Sequence, residues 1–209
     1  MNYYYLSSNI IACENFLPSY ALNEIKIELL NNRAMFGLSE WNSGFEAYSS
    51  ACGGEDYWIN NHPSYKKAKD TNEKIVKLCD WFLHQGLKFF AGQKTSVFNL
   101  LERKFEFDVH VISYNHGGYY NWHRDGKGSN LFTFNLILNE GNQLKGGEML
   151  FMDDNKIIKV PNKNNFMVVF PSYISHAIMP LYSEDKKDVA FAAQRFSIQH
   201  WNRLCPNTN

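Results

Sequence analysis

The spacing of hydrophobic residues changes along this 209-residue chain. Between Pro18 and about Asn31 the apolar positions recur with helical spacing, which predicts an amphipathic helix. Ser19 can cap the free N–H groups at the start of that helix. Residues 3–17 before it predict a strand that runs into a turn. The apolar stripe of the helix consists of Leu22, Ile25, Leu29 and Leu30.

A second helix is predicted from Ser64 to about Phe90, with apolar residues at i, i+3, i+4, i+7 and i+8. Residues 37–63 before it are irregular and rich in Gly, Ser, Asn and aromatic side chains. Long segments over a scaffold often carry binding residues, so we expect a substrate loop here. The helix stripe is Ile75, Leu78, Cys79, Phe82 and Leu83, and the loop aromatics are Trp41, Phe45, Tyr48, Tyr57 and Trp58.

After about residue 96 the hydrophobic period becomes two. Apolar and polar residues alternate in 104–114 and 131–138, and EMLFM, KIIKV, FMVVFP and VAFAAQRFSI predict further short strands. Helices followed by such strands indicate an α+β fold, in which N-terminal helices brace a double-stranded β-helix, or jelly roll. We expect one domain over residues 1–209, with helical support and the substrate loop in 1–95 and a β-roll catalytic core in 96–203.

The composition of the chain disfavours several classes of partner and site. Lys+Arg and Asp+Glu are both 21, so the formal net charge is zero and nucleic acid is a disfavoured partner. No apolar run reaches the length of a membrane span, and the first residues lack the features of a signal peptide. The four cysteines lie too far apart for a zinc knuckle and form no disulfide framework. We therefore expect a cytoplasmic protein, and the sequence does not indicate its oligomeric state.

The stretch Tyr114–Asp125 ends in His123-Arg124-Asp125, and side chains two apart on a strand share a face. An imidazole and a carboxylate would then converge, as two ligands of a 2-His-1-carboxylate iron(II) site. Chance alone gives roughly 0.7 such tripeptides in this chain, so a surface histidine beside a solvated aspartate is the alternative. His176 is the candidate third ligand, because a late jelly-roll strand can return beside the first motif. The other histidines, His62, His84, His110, His116 and His200, are weaker candidates.

Arg195 and Ser197 follow the apolar residues VAFAAQ at the end of a predicted strand and share one of its faces. An arginine inside a barrel is costly unless an anion meets it. A dicarboxylate co-substrate can bind the guanidinium bidentately, and the hydroxyl of Ser197 adds a donor. The alternative is an ion pair with a local Asp or Glu.

Four motifs occur in order: Y-x-x-G-x5-H-x-D from Tyr114, GGE-x-x-F from Gly146, FP-x4-H-x3-P from Phe170 and R-x-S-x3-W from Arg195. Together they resemble the prolyl 4-hydroxylase-like branch of the iron(II)/2-oxoglutarate-dependent dioxygenases over about half the chain. ENFLP followed by a helix is similar to the opening of that family. We expect Gly146-Gly147-Glu148 to form a tight turn into a strand.

The resemblance implies a role for each matching residue. His123, Asp125 and His176 would bind iron and form the catalytic centre. Arg195 would bind the C5 carboxylate of 2-oxoglutarate, with Ser197 nearby and Tyr114 in support. Tyr120 and Trp201 match positions that flank the substrate residue, although ordinary core packing is an equal alternative for both. The family often carries its cationic residue closer to the second histidine, so Lys186 and Lys187 remain alternatives to Arg195.

The implied function is hydroxylation of an aliphatic C–H, on a prolyl residue of a peptide or protein, with release of succinate and CO2. The implied cofactor and co-substrates are Fe(II), 2-oxoglutarate and O2, and ascorbate is a candidate cofactor. One alternative is the same chemistry on another amino-acid side chain, a small molecule or a nucleic-acid base. The other is a non-catalytic β-roll that only binds.

Overall fold

The computed structural model describes residues 2–38, 55–58, 97–102, 105–125, 130–141 and 143–204. The predicted second helix and most of the predicted substrate loop lie outside these residues. So do two of the weaker histidine candidates and three of the cysteines: His62, His84, Cys52, Cys79 and Cys205. The described cysteine, Cys13, is buried and forms no disulfide.

The described residues form fourteen strands, one α-helix and three short 3-10 helices. The helix α1 spans Ser19–Asn31, and the 3-10 helices span Arg33–Met35, Val97–Glu102 and Phe191–Ala193. The strands are β1 Asn2–Ser7, β2 Ile10–Glu14, β3 Gly37–Leu38, β4 Glu55–Trp58, β5 Phe105–Tyr114, β6 Tyr120–His123, β7 Asn130–Asn139, β8 Leu144–Gly146, β9 Met149–Asp153, β10 Lys156–Val160, β11 Phe166–Pro171, β12 Ser175–Ile178, β13 Leu181–Ser183 and β14 Arg195–Leu204.

The strands build two facing sheets and a small ribbon. The large sheet has the order β1-β2-β11-β7-β14-β5-β4-β3, the small sheet has the order β10-β9-β12-β6, and β13 pairs with β8. Every pairing among the described strands is antiparallel. The predicted jelly-roll core is thereby confirmed. The division of the chain near residue 95 stays a prediction.

Each long strand of the large sheet is buried on both faces. On β14, Phe196 and Ile198 join an outer core with Ile25 and Leu29 of α1. The alternating residues Arg195 and Ser197 face the inner side, where the core lies between the two sheets. Helix, large sheet and small sheet thus form three layers. Polar residues of the inner face therefore line an enclosed space instead of facing solvent.

The N-terminal elements differ in detail from the prediction. Residues 3–17 form two strands instead of one, because Asn9 N–H donates to Ser7 Oγ at 3.1 Å and closes a turn between them. The helix α1 begins as predicted, but Ser19 does not cap it. Pro18 occupies the N-cap position, Ser19 is the first helical residue, and the carbonyl of Pro18 accepts from the N–H groups of Ala21 and Leu22.

The buried stripe of α1 also differs from the predicted one. Ala21, Ile25 and Leu29 are buried, spaced by four residues, whereas Leu30 lies off this stripe and is 46% exposed. None of the helices in the described ranges is long and apolar enough to cross a membrane.

The prediction that the segment before Arg195 is a strand is wrong. Residues 191–193 form a 3-10 helix, and Arg195 begins β14 instead of ending a strand. The ring of Phe191 packs edge-on against Phe36 and Phe196, each at 5.1 Å between ring centroids. This packing in the outer core explains the apolar composition of the segment without a strand.

Gly146 and Gly147 make the predicted tight turn into β9. Both have positive φ, +77° and +69°, which favours glycine. A Cβ on Gly146 would lie 2.3 Å from the carbonyl oxygen of Pro180, and one on Gly147 would lie 2.8 Å from Leu181 Cγ. The turn lets β8 approach β13 this closely.

Truncation of Ile25 tests the packing of α1 on the outer face of the large sheet. Ile25 is 1% exposed and Ile27 is 53% exposed, and both lie on the same helix. We expect Ile25→Ala to lower the free energy of unfolding by roughly 2–5 kcal/mol, because it leaves a cavity. Ile27→Ala is the matched control and should change it by about 0.5 kcal/mol or less. Urea unfolding measures both, and equal effects would contradict this packing.

Candidate metal centre

His123 and His176 face each other across two strands of the small sheet. They are direct register partners in the antiparallel pairing of β6 with β12. Asp125 follows two residues after His123, just beyond the end of β6. The ligand atoms of these three residues all lie within 4.8 Å of one another. Asp125 Oδ1 lies 3.6 Å from His123 Nε2, and Oδ2 lies 3.5 Å from His176 Nε2.

Backbone carbonyls fix the orientation of both imidazoles. His123 Nδ1 lies 2.7 Å from the carbonyl oxygen of Asn121, and His176 Nδ1 lies 3.0 Å from that of Ile174. Each Nδ1 therefore carries the proton in the neutral ring, and the lone pair of each Nε2 points to the common centre. Neither buried Nε2 makes a hydrogen bond. Metal-binding histidines are held in this way.

Asp125 is oriented from the large sheet. Thr133 Oγ1 on β7 donates to Asp125 Oδ2 at 2.8 Å and lies 2.9 Å from Ser172 Oγ. Asn130 Nδ2 donates to the backbone carbonyl of Asp125 at 3.1 Å. The carboxylate is therefore bound to a residue of the opposite sheet, and its position does not depend on β6 alone.

Burial keeps His123 neutral. The pKa of His123 is lowered to about 4, first by burial and then by the neighbouring His176, and Asp125 opposes this only in part. The ring of His176 is enclosed by Phe151 and Phe170, at centroid distances of 5.8 and 4.8 Å. Two neutral imidazoles and one carboxylate are the donor set that suits iron(II) with open coordination positions. The residues present therefore fit an iron ion.

A buried cation lies farther along the same inner face. Arg195 is fully buried, its Nη1 donates to Ser197 Oγ at 2.5 Å, and its Cζ lies 5.0 Å from the ring centroid of Tyr114. The guanidinium of Arg195 therefore lies close to the hydroxyl of Ser197 and to the ring of Tyr114. Lys186 and Lys187 instead lie exposed in the turn after β13.

Residues 109–203 match the family model described as the 2OG-Fe(II) oxygenase superfamily. The matched region runs from β5 to β14, and this part of the chain resembles that superfamily. The family description names iron(II) and 2-oxoglutarate, whereas ascorbate stays a prediction. No curated protein matches the chain in sequence.

Solved structures of prolyl hydroxylases share the fold at low sequence identity. A prolyl-4-hydroxylase from Pseudomonas putida is 20% identical, with a TM-score of 0.59 over 94% of this chain and 93% of that one. A prolyl hydroxylase from Trichoplax adhaerens, in complex with a hypoxia-inducible-factor peptide fragment, is 17% identical, with a TM-score of 0.68 over 94% and 84%. The viral collagen prolyl hydroxylase of Paramecium bursaria Chlorella virus-1 is 16% identical, with a TM-score of 0.59 over 95% and 97%.

Of the two predicted substrate residues, Tyr120 contacts a metal-site histidine and Trp201 lies on the inner face of the large sheet. The ring of Tyr120 stacks on His123 with 3.8 Å between centroids and 18° between planes. Trp201 lies on the inner face of β14, in register with Thr133, and its ring is 5.4 Å from that of His110. His110, predicted on the polar phase of its strand, is buried, because β5 is covered on both faces.

Sequence reasoning missed the polar residues that support this centre. Thr133 donates to Asp125 and contacts Ser172, and Asn135 and Gln199 are buried on the same inner face. Their signal is visible in hindsight. Thr133 and Asn135 occupy the polar phase of a long alternating strand, and in a two-sheet roll the polar phase of a central strand faces the cavity.

Removal of the Thr133 hydroxyl tests how Asp125 is held. Thr133→Val keeps the side-chain shape and leaves Asp125 Oδ2 without this donor. We expect metal affinity to fall roughly 10–100-fold, as for other outer-shell partners of metal ligands. Titration with Mn(II) or Fe(II) under anaerobic conditions measures the change. Thr133→Ser retains the hydroxyl and should bind metal within about threefold of the unmodified protein; equal losses in both variants would contradict the role.

Proposed function

We propose that this protein is an iron(II)- and 2-oxoglutarate-dependent dioxygenase that hydroxylates a prolyl residue of a peptide or protein. The observation that carries the proposal is the convergence of two imidazoles and one carboxylate, with a buried guanidinium farther along the same face. Two imidazoles and one carboxylate suit iron(II), and a guanidinium on the same enclosed face suits the carboxylate of an anionic co-substrate.

The residues have separate roles. His123, Asp125 and His176 would hold iron(II) through Nε2, a carboxylate oxygen and Nε2. Arg195 would bind the C5 carboxylate of 2-oxoglutarate, with Ser197 and Tyr114 beside it. When bound, iron(II) and 2-oxoglutarate would supply the chemistry by which O2 oxidises an unactivated C–H, which gives the alcohol, succinate and CO2. The protein contributes position, charge and exclusion of water.

The charges of the site suit this assignment. The depressed pKa of His123 leaves its Nε2 lone pair available at neutral pH. Arg195 stays protonated at any working pH and offers two parallel N–H donors to a carboxylate. The aromatic rings of Tyr120, Phe151 and Phe170 surround the histidines and limit access of water. Such a dry site strengthens each electrostatic contact.

A prolyl substrate is supported by two observations. Tyr120 stacks on the metal-site residue His123, Trp201 lies on the inner face of β14 in register with Thr133, and aromatic faces suit the pyrrolidine ring. The structures of similar fold include bacterial, animal and viral prolyl hydroxylases, one of them with a peptide bound. A formal net charge of zero gives no general attraction for a nucleic acid.

The co-substrate assignment is tested by removing the charge of Arg195. Anaerobic protein with Fe(II) and 2-oxoglutarate should show a weak visible charge-transfer band, and in air it should release succinate slowly without substrate. Arg195→Met should raise the 2-oxoglutarate concentration needed for the band by roughly 30-fold or more, because a buried charge-assisted contact contributes about 2 kcal/mol or more. Lys187→Ala is the control and should leave that concentration unchanged.

Two outcomes would contradict the co-substrate assignment. Equal effects of Arg195→Met and Lys187→Ala would remove Arg195 from the carboxylate site. The absence of both band and succinate in the unmodified protein, with a His123→Ala variant altered only in stability, would favour a non-catalytic β-roll.

The substrate assignment is tested with a proline-rich peptide. We expect a mass gain of about 16 Da that depends on Fe(II), 2-oxoglutarate and O2, because one oxygen atom enters a C–H bond. Fragmentation should place the oxygen on proline, and the same peptide with alanine for proline is the control. Succinate release without any modified peptide would leave the oxygenase and reject the prolyl substrate. Equal modification of the alanine peptide would indicate another side chain.

A further inference from the structure

Two buried amide side chains lie opposite each other on the inner face of the large sheet. Asn135 on β7 and Gln199 on β14 are direct register partners, and they are 0% and 1% exposed. Within the part of the chain that the structure describes, Gln199 Nε2 and Oε1 have no hydrogen-bond partner, and neither does Asn135 Oδ1. Asn135 Nδ2 contacts the weak acceptor Met149 Sδ, at 3.5 Å. Two amides thus share one enclosed place with most of their hydrogen-bonding capacity unused.

This arrangement is unfavourable for a side chain that serves packing alone. Each buried polar group without a partner destabilises the fold, whereas an apolar side chain of the same shape does not. The next register pair on the same face, Ile137 with Ser197, includes an apolar residue, so the face accepts one. The unused donors therefore point to a polar group that enters the cavity.

The amide pair lies between the metal ligands and the buried cation. One register step to one side, Thr133 pairs with Trp201, and Thr133 donates to Asp125. Two steps to the other side, Asn139 pairs with Arg195, whose guanidinium reaches back to Ser197. One step along a face of a strand is about 6.7 Å. A ligand that contacts both the metal site and Arg195 therefore lies next to Asn135 and Gln199.

We infer that Asn135 and Gln199 are co-substrate-binding residues, which donate their amide N–H groups to the metal-side carboxylate of a 2-oxo acid. The inference rests on the proposed function. Arg195 neutralises the far carboxylate, so neutral donors suffice for the near one beside the metal ion. A carboxylate accepts hydrogen bonds only, and the two amides offer three N–H groups that bind no oxygen.

The geometry also explains why both strands carry an amide. Directly paired side chains on neighbouring strands are close enough to contact each other. No hydrogen bond joins Gln199 Nε2 to Asn135 Oδ1 in the described structure, so the N–H groups of Gln199 remain for the ligand. His110 is the register partner of Gln199 on its other side, so the pair is bounded by a ring there. Two donors in fixed positions orient a planar carboxylate as well as bind it.

The test measures binding rather than turnover. Asn135→Leu and Gln199→Met remove the polar atoms at nearly constant volume, and Gln143→Met is the matched control at an exposed glutamine. The dissociation constant of 2-oxoglutarate is measured by calorimetry on Mn(II)-loaded protein without oxygen. We expect it to rise about tenfold or more in each of the first two variants and to stay unchanged in the control.

Two further readouts separate this role from a structural one. The melting temperature of the metal-free protein should stay equal or rise in both variants, because each removes unpaired buried polar atoms. Mn(II) affinity without the co-substrate should stay unchanged. A structural role would instead lower the melting temperature and leave the affinity for 2-oxoglutarate intact.

The possible failures are distinguishable. If the unmodified protein binds 2-oxoglutarate and both variants bind it equally well, the inference is wrong and the proposed function stands. If the unmodified protein binds Mn(II) but no 2-oxoglutarate, both are wrong. The two variants lie on different strands. If one of them does not fold, the affinity of the other for 2-oxoglutarate still tests the inference.

Discussion

The antiparallel pairing of His176 with His123 is the constraint on which the site depends. β6 has four residues, and its pairing with β12 places its last residue, His123, beside the other imidazole. The rings then lie 4.1 Å apart between centroids, close enough that protonation of one opposes protonation of the other. Burial and this mutual effect keep His123 neutral. The backbone pairing thus sets both the geometry and the protonation state of the centre.

The inner face of the large sheet bears the energetic cost of the site. Central strands of a covered sheet are usually apolar on both faces. Here β7 and β14 instead place polar side chains inward: Thr133, Asn135, Asn139, Arg195, Ser197 and Gln199. Their outward side chains, with α1, form the apolar core that offsets this cost. Stability and chemistry therefore occupy opposite faces of the same strands.

Much of the site follows from local sequence because its key pairs are two residues apart. His123 with Asp125 and Arg195 with Ser197 both depend only on the alternation of side chains about an extended chain. Contacts set by the fold were not predictable in this way. The bond from Thr133 to Asp125 depends on how two sheets face each other, and the burial of His110 depends on a cover that its own strand does not encode.

Two predictions about the starts of secondary-structure elements, for β14 and for α1, were wrong in detail. The residues VAFAAQ alternate well enough for a strand, but the ring of Phe191 gains its contacts from Phe36 on a distant segment, and the backbone forms a 3-10 turn to reach it. Ser19 is a residue type that suits the N-cap position, but Pro18 occupies that position and Ser19 is the first helical residue. The distant contact of Phe191 is not visible in a short window of sequence.

Register on β14 ties the fold to the chemistry. A slip of one residue would turn Phe196 and Ile198 into the cavity and Arg195 into the apolar outer core. The charge alone would make that arrangement unfavourable by several kcal/mol, roughly the cost of an unpaired buried ion. The same ladders to β5 and β7 that position the guanidinium are therefore selected in part by its charge. The side chain of Arg195 therefore has two effects: it serves the site, and it disfavours the shifted register of β14.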